Sequence, residues 1–236
     1  MNAMIPVITI DGPSGTGKGT LAHRLAKKLG FFCLDSGALY RGLAWAVLQG
    51  TIDIEKQEAL ERCINSVDIK LKDGLVICNE VDVSADIRRA DVSMMASKIA
   101  ANPLVRKRLM ELQRQQRQEP GLVTDGRDMG TVVFPDAIIK IFLTATAKER
   151  ALRRYKQLKE KKIDVSLPNI EEELNIRDRQ DAERAVSPLK PADDAIVVDT
   201  TDMSADQVFQ RILDIVSTHN PLTGCRVNGL RDEAKR

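Results

Sequence analysis

The chain has 236 residues, of which 43% are hydrophobic and only 3% aromatic, with a formal net charge of +2. This length suits one large domain, or a core carrying small inserts, with enough chain to bury a substantial interior. Near-neutral charge supplies no global attraction to nucleic acid or to an anionic membrane, and no stretch approaches the ~20 apolar residues of a membrane span. Cys33, Cys63, Cys78 and Cys225 are scattered, with no C-x-x-C pair and no histidine at zinc spacing. Residues 1–6 lack the basic and apolar regions of a signal peptide. The expectation is a reduced, cytosolic protein.

Along the chain, the apolar run Val7, Ile8, Thr9, Ile10 reads as a strand. Gly12, Pro13, Ser14, Gly15, Thr16, Gly17, Lys18, Gly19 and Thr20 follow, and then a helical stripe of Leu21, Leu25 and Leu29. Strand, glycine-rich turn, lysine and helix in that order make a phosphate-binding loop. Glycines let successive backbone N–H groups converge, and the helix start adds free N–H groups and the positive end of its dipole. Lys18 adds a point charge for the outer phosphates of a nucleoside triphosphate. Gly19 stands where a serine or threonine usually holds magnesium, so G-K-G-T looks like the loop of nucleoside monophosphate kinases. GTPase marks are missing: there is no N-K-x-D, and Asp125 has no glycine three residues on.

Gly30 ends the first helix. Residues 31–34 read as a short buried strand, and Asp35, Ser36 and Gly37 as the turn at its carboxyl end. A helix follows through Leu39, Leu43 and Val47, with Tyr40 and Arg41 in its first turn. Ligands of open α/β sheets gather at the carboxyl ends of strands, which places Ser36 and Arg41 near the phosphate loop. From position alone Arg41 is equally a solvated helix charge. Residues 54–65 suggest another helix. Short alternation over 67–83, with an Asp-Gly turn at 73–74, predicts a small β meander inserted into an alternating β/α chain.

Residues 84–101 read as helical, and Asn102 with Pro103 starts the next helix. That helix carries Arg106, Arg108, Arg114 and Arg117, a basic face that is usually solvated. Residues 122–125 form a strand closed by Asp125, followed by Gly126, Arg127 and Asp128. An aspartate ending a strand beside a phosphate loop commonly orients magnesium or its waters; a turn-forming Asp-Gly and a surface Arg-Asp pair are the alternatives. Residues 138–143 are a further strand, and Thr146 with Glu149 is a capping box. The helix it opens bears Arg150, Arg153 and Arg154; after a polar break, a second begins at Asn169 with Arg177, Arg179, Asp181 and Arg184. Positions 177, 181 and 184 share one stripe, either an exposed ion-pair ladder or the arginines of a mobile lid. Residues 195–198 give a last strand, Ser204 caps a last amphipathic helix, and the segment after His219 reads as a loose tail.

The stretches I-D-G-P-S-G-T-G-K-G-T, D-S-G-A-L-Y-R, T-D-G-R-D-M-G-T-V-V-F-P-D-A and R-x-x-x-D-x-x-R-A-V-S-P-L resemble the bacterial type of cytidylate kinase over nearly the whole chain. The resemblance implies a five-stranded parallel P-loop sheet with a β insert and a short helical lid. It implies phosphoryl transfer from ATP, with Mg2+, to CMP and also dCMP, by a monomer without nucleic acid or membrane. The acceptor phosphate would be held by Arg41, Arg127 and Arg184, with Ser36 beside them. Cytosine would be read by Ser97, Arg106 and Asp128, and the ribose met by Arg177 and Asp181. Lys18, Arg127, Arg177 and Arg184 would carry catalysis, and Asp125 would reach the metal through water. The implied division is core over 1–62, 89–150 and 186–218, β insert over 63–88, lid over 151–185 and flexible tail over 219–236. His23 and His219 lie outside every motif, and an ionised phosphate acceptor needs no general base.

Overall fold

The computed structural model describes residues 4–72, 74–160 and 163–219. In chain order its elements are β1 (Val7–Asp11), α1 (Lys18–Leu29), β2 (Phe32–Asp35), α2 (Ser36–Gln49), α3 (Gln57–Ser66), β3 (Ile69–Lys72), β4 (Leu75–Cys78) and β5 (Val81–Asp82). A 3-10 turn (Asp86–Arg88), α4 (Ala90–Ile99), α5 (Pro103–Gln115), β6 (Leu122–Gly126) and a π-helical turn (Met129–Val133) follow. The chain then runs through β7 (Ile139–Thr144), α6 (Ala147–Glu160), α7 (Leu167–Ala182), β8 (Ile196–Asp199) and α8 (Ala205–Thr218).

Five strands form one parallel sheet in the order β2-β6-β1-β7-β8. All five residues of β1 are buried, as expected of a strand covered on both faces by helices. Its alternate side chains enter separate cores. Val7 joins Leu39, Leu43, Val105 and Leu109 from α2 and α5, whereas Ile8 and Ile10 join Leu21 and Leu25 of α1 and Val208 and Ile212 of α8. Because the chain leaves β1 toward β2 and later returns to its other side at β7, β1 marks the topological switch point where open sheets bind ligands.

β2 departs from the expectation of a buried strand. Phe32 is 47% exposed and Cys33 is also exposed, while Leu34 alone is fully inside. β2 is an edge strand, with β6 as its sole partner among the described residues, and an apolar run does not distinguish an edge from a centre. Residues 84–101 likewise form two elements. The backbone is extended at Arg89, and its guanidinium donates to Asp91 at the start of α4.

The meander forms an antiparallel sheet in the order β3-β4-β5, seated on the α2 core through Ile69, Val76 and Cys78. Of its predicted turn, Asp73 lies outside the described residues; Gly74 has φ 80°, and Lys72 pairs with Leu75. α6 and α7 pack on each other around a small core of their own, Ala151, Ile170 and Leu174. α7 begins at Leu167 rather than at Asn169: Ser166 accepts from Asn169 N as the cap, and Pro168 fits the first turn, where its missing N–H costs nothing. The predicted tail from residue 220 onward lies outside the described residues. No described helix is long and apolar enough to cross a membrane.

Candidate active site

The phosphate loop leaves β1 at Gly12, whose φ is 147°. A Cβ there would stand 2.2 Å from the Leu143 carbonyl oxygen of β7, so only glycine lets the loop turn this close to its neighbour. Lys18, the first residue of α1, is buried, and its Nζ donates to the Pro13 carbonyl at 3.0 Å. Thr16 Oγ1 donates to the same carbonyl at 3.1 Å. Burial, reinforced by the Arg127 guanidinium, pushes the Lys18 ammonium well below the usual lysine range, and Asp125 opposes that. A positive charge held this way is stabilised by an incoming anion.

The carboxyl ends of β2 and β6 lie side by side, with Asp35 opposite Asp125. Asp35 caps α2 by accepting from Ala38 N at 3.0 Å, and its other oxygen takes Arg41 Nη2 at 2.8 Å. Arg41 is therefore oriented by its cap and is not a free surface charge. Ser36, next along, is buried. Asp125 is buried too, and its Oδ1 has no hydrogen-bond partner among the described residues. Burial, together with Asp35, raises its pKa above the usual carboxylate range, against Lys18, Arg41 and Arg127. Its carboxylate oxygens lie 3.6 and 3.7 Å from where a Cβ of Gly19 would be. The serine or threonine of other phosphate loops would stand against this acid, and glycine leaves room there. No group of three or more metal-ligating side chains occurs among the described residues. A buried carboxylate with an unpartnered oxygen facing the loop fits an ion held through water.

Beyond these strand ends, Arg127 Nε donates to Asp181 Oδ2 of α7 at 2.6 Å, and its Nη2 donates to Ser14 Oγ of the phosphate loop at 3.1 Å. Asp181 also forms an ion pair with Arg184, so one carboxylate sits between two guanidiniums. Burial alone would raise the Asp181 pKa, but Arg127 and Arg184 outweigh it and hold the acid below its usual range. Arg177 is brought to about 10 by burial and then by Arg127, and the Nε atoms of Arg177 and Arg184 have no partner among the described residues. Such unsatisfied buried donors are the natural counterpart of phosphate oxygens.

A second pair lies alongside. Arg106 of α5 forms a buried ion pair with Asp128, and its Nη1 donates to the Ala100 carbonyl at 3.2 Å. Ser97 is buried one turn earlier in α4. Burial raises the Asp128 pKa, while Arg106, Arg184 and a hydrogen bond from Ser187 resist. The Tyr40 ring centroid is 6.0 Å from the Arg106 guanidinium carbon. Despite the low aromatic content, one ring thus stands beside this pair.

The structure links Arg127, Asp181 and Arg184 to the loop through Ser14 and joins Arg106 to Asp128, while Arg177 lies one turn before Asp181 on α7. Sequence reasoning missed Arg150. Its side chain is buried and donates to the Ser14 carbonyl at 2.9 Å and the Ala145 carbonyl at 3.0 Å, and pairs with Asp178 of α7 at 2.6 Å. In the sequence it is one arginine among several on a basic helix, and nothing local marks it as buried. Asp11, which accepts from Met129 N at 3.0 Å and Gly130 N at 2.8 Å, reads there as a polar residue before a glycine turn. His23 is exposed on α1.

A five-stranded parallel sheet with a phosphate loop leaving its central strand, faced by an arginine-bearing helical pair, defines a P-loop kinase of the nucleoside monophosphate kinase fold. The cytidylate kinase family model matches residues 8–218, and the chain belongs to that family. It is 52% identical over 219 residues to the cytidylate kinase of Pseudomonas fluorescens Pf-5, covering 90% of this chain and 96% of the relative. Cytidylate kinases of Coxiella burnetii (46% identity, 89% and 92% coverage) and Methylococcus capsulatus (49%, 93% and 100%) are similar. Among solved structures, a Eubacterium ventriosum protein has TM-score 0.51 at 13% identity, covering 91% of this chain and 99% of its own. A Thermus thermophilus protein has TM-score 0.50 at 18% identity, covering 92% and 99%. Both are likenesses of fold.

Proposed function

We propose that this chain transfers the terminal phosphoryl group of ATP to CMP, and also to dCMP, giving ADP and CDP in pyrimidine nucleotide metabolism. The observation that carries the reading is Arg127, which spans Ser14 of the phosphate loop and Asp181 of α7. A guanidinium in that place lies between a triphosphate on the loop and a monophosphate on the β6 side.

The loop from Gly12 to Thr20 holds ATP, with Lys18 at the transferred phosphate. Arg41, Arg127 and Arg184, with Ser36, hold the acceptor phosphate; Arg177 and Asp181 meet the ribose. Ser97, Arg106 and Asp128 read the base. Asp128 accepts from the exocyclic amine of cytosine and faces only a carbonyl oxygen in uracil, which favours CMP over UMP. The acceptor oxygen is already ionised near neutral pH, so catalysis rests on alignment and charge compensation. Mg2+ bound with ATP supplies neutralisation of the phosphate charge, and Asp125 is the residue placed to orient it through water. Residues 63–88 cover the acceptor side and residues 151–185 act as a lid that excludes water. The enzyme works as a cytosolic monomer.

A coupled ADP-release assay of the common nucleoside monophosphates, each with ATP and Mg2+, tests this. CMP is expected to be turned over fastest, with dCMP next. Faster turnover of UMP or AMP would make the chain a kinase of another monophosphate. ATP binding without turnover of any would make it a binding protein.

A further inference from the structure

Asp11 is a fully interior carboxylate that the proposed chemistry leaves unused. It is 5% exposed, and among the described residues it forms no ion pair with lysine or arginine. Both its oxygens are spent on backbone: Oδ1 accepts from Met129 N at 3.0 Å and Oδ2 from Gly130 N at 2.8 Å. Burying a carboxylate without a cationic partner is costly, and a neutral side chain filling this space would be cheaper. The two amides belong to the segment immediately after Arg127 and Asp128. They open a π-helical turn, Met129–Val133, whose first N–H groups have no partner within the turn. Such wide turns recur at functional sites.

The geometry fixes more than a cap. Asp11 ends β1 directly before Gly12 of the phosphate loop and lies opposite Gly126 of β6. Thr9, two residues earlier on the same face of β1, presses on the same turn: a Cβ at Gly130 would lie 2.9 Å from Thr9 Oγ1 and 3.2 Å from the Lys140 methylenes. The turn is thus seated against the sheet by close packing and pinned by one carboxylate. Arg127 and Asp128 project from the residues between that pin and the end of β6.

We propose that Asp11 is a positioning residue for the acceptor nucleotide, tying the entrance of the phosphate loop to the segment that presents Arg127 and Asp128. This rests on the reading of Arg127 and Asp128 as acceptor contacts. The acceptor contacts depend on this pin, whereas the loop keeps its own close approach to β7 at Gly12 and its internal bonds to Pro13. Loss of one accepting oxygen leaves an amide facing a donor and lets the turn shift. A displacement on the order of 1 Å at a positioning contact costs about ten- to a hundredfold in rate.

The test is Asp11→Asn, which keeps the shape, with Asp11→Ser as a second variant that keeps one acceptor and adds no amide. The wild type is assayed first with CMP, since absence of turnover there refutes the functional reading and not this one. Given wild-type turnover, both variants are expected to lose at least about tenfold in kcat/KM for CMP, mainly through KM. Their preference for CMP over UMP should fall, while the Kd of a non-hydrolysable ATP analogue stays within about twofold of wild type. Lower melting temperature with unchanged KM and unchanged base preference would overturn the proposal. Failure of both variants to fold would make Asp11 a folding residue and overturn it equally, as would equal weakening of ATP and CMP.

Discussion

Arg127 and Asp181, 54 positions apart in the chain, meet at 2.6 Å. The contact joins the residue just past β6 to α7, and Arg184 closes on the other oxygen of the same carboxylate. Breaking a buried pair by removing one charge is typically destabilising by about 3–5 kcal/mol, because the remaining charges stay buried. Asp181→Asn should therefore lower the melting temperature at pH 7 and reduce kcat/KM for CMP by about a hundredfold. The acid is held below its unfolded pKa, so its contribution is present above about pH 4 and fades as pH falls through the depressed folded value. The gap in melting temperature between variant and wild type should narrow on acidification below about pH 4. A variant with wild-type melting and rate at pH 7 would detach this contact from both stability and acceptor binding.

Asp125 gives the opposite sign. Its folded pKa lies above the unfolded value, chiefly through burial. Ionising it therefore costs stability; the cost develops as pH rises from about 4 toward the folded pKa and is full beyond it. Asp125→Asn should melt higher than wild type at pH 8, with the gain shrinking as pH is lowered toward 5. The same variant should lose activity on the order of a hundredfold, as when a group acting on developing charge is removed. Lower melting at pH 8 would show that the charged acid is satisfied within the protein.

Asp128 is expected to set base preference. A hydrogen bond to a charged group contributes roughly 1.5–3 kcal/mol, or about ten- to a hundredfold in discrimination. Asp128→Asn, whose amide can donate to a uracil carbonyl, should reduce the CMP-to-UMP ratio of kcat/KM by at least about tenfold. An unchanged ratio would move base recognition to Ser97 or Tyr40.

Much of this arrangement is legible in the sequence. The phosphate loop is a contiguous pattern whose residues act through their own backbone, so strand, loop and helix announce it. The i, i+4 spacing of Arg177 and Asp181 places both on one face of α7, but the helix ends at Ala182, so Arg184 reaches Asp181 from the segment beyond it and not from the helical stripe that the spacing predicts. Two kinds of information were not legible. Burial of a long charged side chain is a tertiary property: Arg150 and Arg153 look alike in sequence, yet Arg150 reaches the Ser14 carbonyl and Arg153 the Thr200 carbonyl. Edge position is the other. Residues 31–34 carry the apolar character of an interior strand, but the sheet order leaves β2 with one neighbour and Phe32 exposed. Asp11 shares the first difficulty, because its partners are amides 118 and 119 residues away.

The central claim is that two anionic nucleotides meet head to head across Arg127, with compensation of charge rather than removal of a proton. A bisubstrate analogue, cytidine and adenosine joined 5′ to 5′ through a polyphosphate, spans both proposed sites in one molecule, and linking the halves raises the effective concentration of each for its site. Steady-state inhibition by this compound is the direct measurement. The account predicts competition against both ATP and CMP, with affinity far above that of either nucleotide alone. Competition against ATP only, at an affinity no better than that of ATP, would contradict it.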